Sequence, residues 1–289
     1  MDNYIPVLQS SVREMSGHRR IPRATPTRRS ISLLGVYKPR FVRPDDTGFK
    51  YRPAHVIVAG HSFCKHLERY MSGTYGPHHN LGLSFEHATV EFLYHGGETI
   101  KTFKEGRWVE DRTPEPLRDF KPRVKEPKLI FREPILQIIT DKMPDIVYLE
   151  LGSNDISDKK LGAETIASEL EGIAQSLISS GIKYVCIGQT IRRKKPQDRW
   201  WKEKYPLPDF YNKKVVLMND ILKHLLDDVC TPRAQYWRHV GFWKPTVDVI
   251  NHADGVHPDG HGLYVLYRSV RGAIIHALGN IDQELRLSD

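Results

Sequence analysis

The sequence predicts a three-layer α/β fold around a mainly parallel sheet. Two observations lead there. From residue 54 onward, short β-branched apolar runs alternate with segments whose apolar residues recur at helical spacing. That order winds a parallel sheet with right-handed crossovers. The strand-like runs are also continuous rather than alternating, as in strands covered on both faces. With 289 residues, 39% of them hydrophobic, length alone allows one domain of about 200–250 residues plus a tail as readily as two domains. The pattern favours a single domain over 54–280 and an arm over 1–50.

Taken in order, "HVIVAG" (55–60) is the first strand. "SFCKHLERYMSG" follows with Phe63, Leu67, Tyr70 and Met71 at helical spacing. "TVEFLYHGG" is a second strand ending in a glycine pair. Residues 104–128 are charged and proline-rich and read as a long surface loop. "LIFREPILQIITDK" turns helical after Pro134, and "PDIVYLELGSND" is a third strand. "AETIASELEGIAQSLISSG" is an amphipathic helix that stops at Gly181. "IKYVCIGQT" is a fourth strand, "DFYNKKVVLMNDILKHLLDDV" a helix and "QYWRHVGFW" a fifth strand. "DGHGLYVLYRSVRGAIIHAL" closes the chain as a helix.

The charge is uneven. Residues 1–52 hold eleven Lys/Arg and four Asp/Glu, and so carry +7 of the formal +8. The other 237 residues are nearly neutral, at +1. Stretches such as "GHRRIPRATPTRRSIS" bury too little apolar surface to offset the entropy of ordering them. A solvated arm is the simpler reading; an electrostatic contact with nucleic acid or an acidic partner is the sharper one. Cys64, Cys186 and Cys230 are sparse, odd in number and lack CxxC spacing. They argue against a disulfide framework or zinc ribbon and for an intracellular setting. No secretory h-region is visible at the N-terminus, and no apolar run is long enough to span a bilayer.

In doubly wound sheets the working residues sit at the carboxyl ends of strands. Three groups qualify: Ser62, Gly96-Gly97, and Gly152-Ser153-Asn154-Asp155. A serine is a poor nucleophile until a base accepts its proton, and the base needs an orienting carboxylate. "NHADGVHPDGHG" supplies Asp254 and His257, whose spacing of three puts both on one face of a turn. The carboxylate then reaches Nδ1 and leaves Nε2 for Ser62. An oxyanion needs donors. The Gly97 N–H, the Asn154 amide and the Ser62 N–H at a helix head are candidates. Singly, each has a plain structural reading as a cap, turn or loop residue. Their joint occurrence in this order carries the functional one.

The set resembles the SGNH, or GDSL-type, hydrolase family. Its four blocks look like Gly60-His61-Ser62-Phe63, Gly97 in "HGGET", Gly152-Ser153-Asn154-Asp155, and Asp254-Gly255-Val256-His257. The likeness spans roughly 54–278, and departs from the family where His61 stands in place of its Asp. The resemblance implies a flavodoxin-like, mainly parallel five-stranded sheet. It also implies hydrolysis of an acetyl, short acyl or lipid ester through an acyl-enzyme, with no cofactor or metal. Ser62 would be nucleophile, His257 base then acid, Asp254 its orienter, and Ser62, Gly97 and Asn154 the oxyanion donors. A looser likeness is to the SGNH-like esterase domains associated with non-LTR retrotransposons. "IRRKKPQDRWWKEKYP" fits it, setting Arg192, Arg193, Lys194 and Lys195 beside Trp200 and Trp201. Such a segment contacts nucleic acid or lines a substrate mouth; a solvated loop is the simpler reading.

Other classes fit less well. "GHSFC" fails the Gly-x-Ser-x-Gly pattern of α/β-hydrolases at Cys64. Pro258 and Gly260 split His257 from His261 and spoil a helical metal site with His252, Asp254 and Asp259. Phosphate-loop and dinucleotide fingerprints are missing. The remaining alternative is a weak or inactive SGNH-fold module that binds nucleic acid or a glycan, with His61 in its favour.

Overall fold

The computed structural model describes residues 52–73, 79–110, 129–194, 208–228, 233–242 and 254–288. The basic arm, Lys195, Trp200, Trp201, Cys230 and His252 lie outside the described residues.

Three strands are buried along almost their whole length: β1 (Ala54–Gly60), β5 (Ile146–Glu150) and β6 (Tyr184–Gly188). They are the continuous apolar runs, and they form the centre of the sheet. β2 (Ala88–Tyr94) and β7 (Ala234–Trp237) are its partly exposed edges. The order is β2-β1-β5-β6-β7, and every pairing is parallel. The winding reverses between β1 and β5. Just past the carboxyl ends of those two strands, such folds open a crevice.

Successive side chains of a strand face opposite layers. Val56, Val58, Ile146, Tyr148 and Cys186 pack under α1 (Ser62–Met71) and α6 (Gly260–Ser288). Ile57, Ala59, Val147, Leu149, Val185 and Ile187 pack under α2 (Ile100–Glu105), α3 (Ile135–Lys142), α4 (Ala163–Ser179) and α5 (Pro208–Lys223). α4 buries Ala163, Ile166, Ala167, Leu170, Ile173, Ala174 and Leu177, one stripe at helical spacing. α5 runs on into a π-helical turn, His224–Asp228. Among the described residues no helix is long and apolar enough to cross a membrane.

The region expected to be a long loop holds more structure than its composition suggests. α2 reaches into it, and β3 (Arg107–Glu110) pairs antiparallel with β4 (Leu129–Arg132) in a separate ribbon. Four residues with Arg and Glu at the ends carry too little apolar alternation to announce a strand; pairing makes it one. β7 is also shorter than "QYWRHVGFW". Trp237 is the last residue in register with β6. The His239 N–H then leaves the ladder to donate to Gln189 Oε1 at 3.1 Å.

Candidate active site

Ser62 opens α1 directly beyond β1. The helix is capped by His61, whose Nδ1 accepts from the Phe63 N–H at 3.3 Å. A short acceptor one residue before the helix is what an N-terminus requires, and the imidazole supplies it where the SGNH family has Asp. His61 is 1% exposed. Two backbone bonds fix the joint: the His61 N–H donates to the Glu150 carbonyl at 3.2 Å, and the His95 N–H to the Gly60 carbonyl at 3.2 Å. Gly60 has φ +152°, and a Cβ there would collide with the Glu150 carbonyl, so β1 approaches β5 too closely for any other residue.

His257 comes from the loop before α6. Its Nδ1 lies 2.6 Å from Asp254 Oδ2, and its Nε2 lies 2.8 Å from Ser62 Oγ, 195 residues away in the chain. The other Asp254 oxygen accepts from the N–H groups of Val256 at 2.8 Å and His257 at 3.0 Å. Burial alone would raise the Asp254 carboxyl; bonds from the His257 ring and these two N–H groups outweigh it and lower it to about 2. An ionised acceptor on Nδ1 holds the proton there and leaves the Nε2 lone pair for the serine hydroxyl. The ring is hemmed in as well. His66 stacks on it at 4.3 Å between centroids and 29° between planes, and Phe63 meets it edge-on at 5.6 Å. His66 follows Ser62 by four residues on α1, a spacing that marks the same helix face.

The turn after β2 and the turn after β5 are clamped together. Asn154 Nδ2 donates to the Glu98 carbonyl at 2.7 Å. Asp155 accepts from the Ile100 N–H at 3.0 and 3.2 Å. Gly97, between these anchors and His95, has φ +74°, a left-handed conformation that favours glycine. Gly96 has no such constraint; its carbonyl accepts from Arg107 Nη2 at 2.7 Å. One Asn154 N–H is thus spent on Glu98 and the other remains. Burial drives the Asp155 carboxyl up to about 6, aided by the charges of Asp158 and Glu98 and opposed by its bonds to backbone N–H groups.

Arg193 folds back against this turn. It donates to Ser157 Oγ at 2.9 Å and to the Ser153 carbonyl at 3.0 Å, and its guanidinium lies 4.3 Å from the centroid of the Tyr211 ring. Arg192 and Lys194 are half-buried neighbours. The structure thus brings Ser62, His257 and Asp254 into one bonded chain, with Gly97 and Asn154 on adjoining turns. Among the described residues no group of three or more His, Cys, Asp or Glu is placed to hold a metal ion.

The His61 ring has a consequence for stability. Burial lowers it from 6.5 to about 4; Glu150 opposes this, and Arg193 and His257 add to it. Its unfolded-state counterpart protonates first as pH falls, so folding loses up to about 3 kcal/mol between pH 6.5 and 4. Asp155 acts the other way in nearly the same window, because its raised carboxyl takes up a proton in the folded state first. His61→Asn keeps a capping side chain and removes the titration. The variant is expected to gain stability on acidification from pH 6 to 4, where the native protein shows the two effects offsetting each other. Thermal melts across that range measure it; parallel curves would contradict it.

No family model matches the sequence. No curated protein matches it either. Solved structures do. A Bacteroides fragilis protein assigned as an acylhydrolase aligns with a TM-score of 0.50 at 16% identity, over 80% of this chain and 92% of its own. A carbohydrate acetylesterase from Sinorhizobium meliloti aligns with a TM-score of 0.50 at 13% identity, over 78% of this chain and 99% of its own. At such identities the likeness is one of fold: a five-stranded parallel sheet covered by helices on both faces.

Proposed function

We propose that the chain is a serine esterase of the SGNH type, hydrolysing an acetyl, short acyl or lipid ester through an acyl-enzyme. The observation that carries this reading is the continuous chain Asp254–His257–Ser62, with contacts of 2.6 and 2.8 Å. His257 Nε2 takes the hydroxyl proton as Ser62 Oγ attacks the ester carbonyl. The tetrahedral oxyanion is met by the N–H groups of Ser62 and Gly97 and by the second N–H of Asn154. Asp254 stabilises the imidazolium. His257 then gives its proton to the departing alcohol, the C–O bond breaks, and the acyl group stays on Ser62. Water repeats the sequence, with His257 as base, and releases the acid.

His61 is compatible with this chemistry because it takes over a capping contact rather than a member of the proton chain. Nothing at the site favours an inactive binding module. The acylhydrolase and acetylesterase assignments of the two solved structures support the reaction class, and the clamp on Gly97 and Asn154 supports a preformed oxyanion site. The test is labelling by a fluorophosphonate probe together with turnover of 4-nitrophenyl acetate and butyrate. Labelling is expected for the native protein and not for Ser62→Ala. Native turnover no faster than that of Ser62→Ala would overturn the reading.

A further inference from the structure

The β3–β4 ribbon sets Arg107 directly opposite Arg132. Opposed residues in an antiparallel pair project to the same side, where like charges repel. Both arginines reach the turn that carries Gly97. Arg107 Nη2 donates to the Gly96 carbonyl, and its Nη1 lies 3.8 Å from where a Cβ on Gly97 would sit. Arg132 Nη1 lies 3.4 Å from His95 Nδ1. An arginine can only donate, so that nitrogen accepts and His95 carries its proton on Nε2.

This cationic pair is under-used. A guanidinium offers five N–H donors. Among the described residues Arg107 makes one hydrogen bond, Arg132 makes one, and neither forms an ion pair with a carboxylate. Arg107 Nε and His95 Nε2 are buried with no hydrogen-bond partner among the described residues. The carboxylate on which both arginines act electrostatically is Glu98, which is 0% exposed; its side chain meets that of Thr102, and neither arginine hydrogen-bonds to it. Burial raises that carboxyl, and even when ionised it balances only one of the two cations. Two opposed arginines with no salt bridge repel each other, and Arg132 is exposed, so an anion from solution can reach the pair.

We propose that Arg107 and Arg132 form an anion subsite beside the oxyanion turn, so that the ester taken here carries a carboxylate or phosphate on its acyl or alcohol part. The subsite rests on the esterase reading and narrows its substrate class. Arginine suits the task because its planar fork matches both oxyanion types.

Two matched ester pairs test it. On the acyl side, mono-4-nitrophenyl succinate is compared with 4-nitrophenyl butyrate. On the alcohol side, 4-acetoxybenzoate is compared with phenyl acetate. The readout is the ratio of kcat/KM for the anionic ester to that for the neutral one. In at least one pair this ratio is expected to fall about tenfold in Arg132→Gln, the scale of one lost charge-assisted contact. It should fall further in Arg132→Glu and fall less in Arg132→Lys, which keeps the charge and loses the fork. A loss that merely loosened the ribbon would slow both esters alike. An unchanged ratio in both pairs for Arg132→Gln overturns the subsite, while neutral-ester turnover and fluorophosphonate labelling leave the esterase reading standing. If labelling and all turnover are missing in the native protein, both proposals fall.

Discussion

His257→Ala is expected to lower kcat for 4-nitrophenyl acetate by about 10⁵- to 10⁶-fold, and Asp254→Asn by about 10⁴-fold, with little change in KM. The two numbers differ because the residues act at different points of one proton path. Without His257 nothing at 2.8 Å accepts the Ser62 proton, and attack requires an unactivated hydroxyl. Asp254→Asn keeps the shape of the turn but turns the acceptor on Nδ1 into an amide that can donate. The imidazole then places its proton on Nε2, where the serine needs a lone pair. Because Asp254 is held at about 2, its ionisation does not limit activity anywhere near neutral pH. Steady-state kinetics on folded variants, checked by thermal melting, measure the effect. A fall below tenfold in His257→Ala would remove it as the base.

The bonded chain was legible in the sequence for a physical reason. Ser62 and Asn154 lie just past the end of a strand and His257 just ahead of a helix, and these boundaries are written in apolar periodicity. The Asp254–His257 spacing of three could be read as a local turn before any partner was known. Contacts carried by tertiary pairing were not readable in this way. Arg107 and Arg132 sit opposite each other only because two four-residue strands meet, and neither strand has a pattern of its own. The role of His61 was also hidden. A histidine before a helix looks like a substitution away from Asp, yet its Nδ1 does the capping that an aspartate oxygen would do. Glu98 contributes its backbone carbonyl to Asn154, a role no side-chain pattern can signal.

Loss of buried Glu150 should destabilise the protein strongly, although the sequence shows it only as one polar residue within a strand. Its carboxylate is the terminus of a chain of donors. Trp237 Nε1, which can only donate, bonds Ser269 Oγ at 3.0 Å. Ser269 Oγ lies 2.9 Å from His239 Nδ1, and His239 Nε2 lies 3.3 Å from Glu150 Oε2. The Tyr148 hydroxyl donates to the same oxygen at 2.9 Å. A carboxylate can only accept, so His239 Nε2 and the Tyr148 hydroxyl both donate to it. His239 is 0% exposed and Glu150 3%, so water does not replace a lost partner. Glu150→Leu removes the acceptor shared by His239 Nε2 and the Tyr148 hydroxyl, which lie 3.2 Å apart and can then bond only each other. At about 1–3 kcal/mol for an unsatisfied buried donor, the variant should lose about 3 kcal/mol. In a domain of this size that is on the order of 10 °C in Tm. The backbone of the same residue holds His61 beside the nucleophile, so activity should fall with stability. Glu150→Leu combined with His239→Phe removes an acceptor and one of its two donors together. The double variant should be less destabilised than the two single losses added. Strict additivity in denaturant unfolding would show that the two side chains are independent and that the donor chain ending at Glu150 is not what holds this end of the sheet.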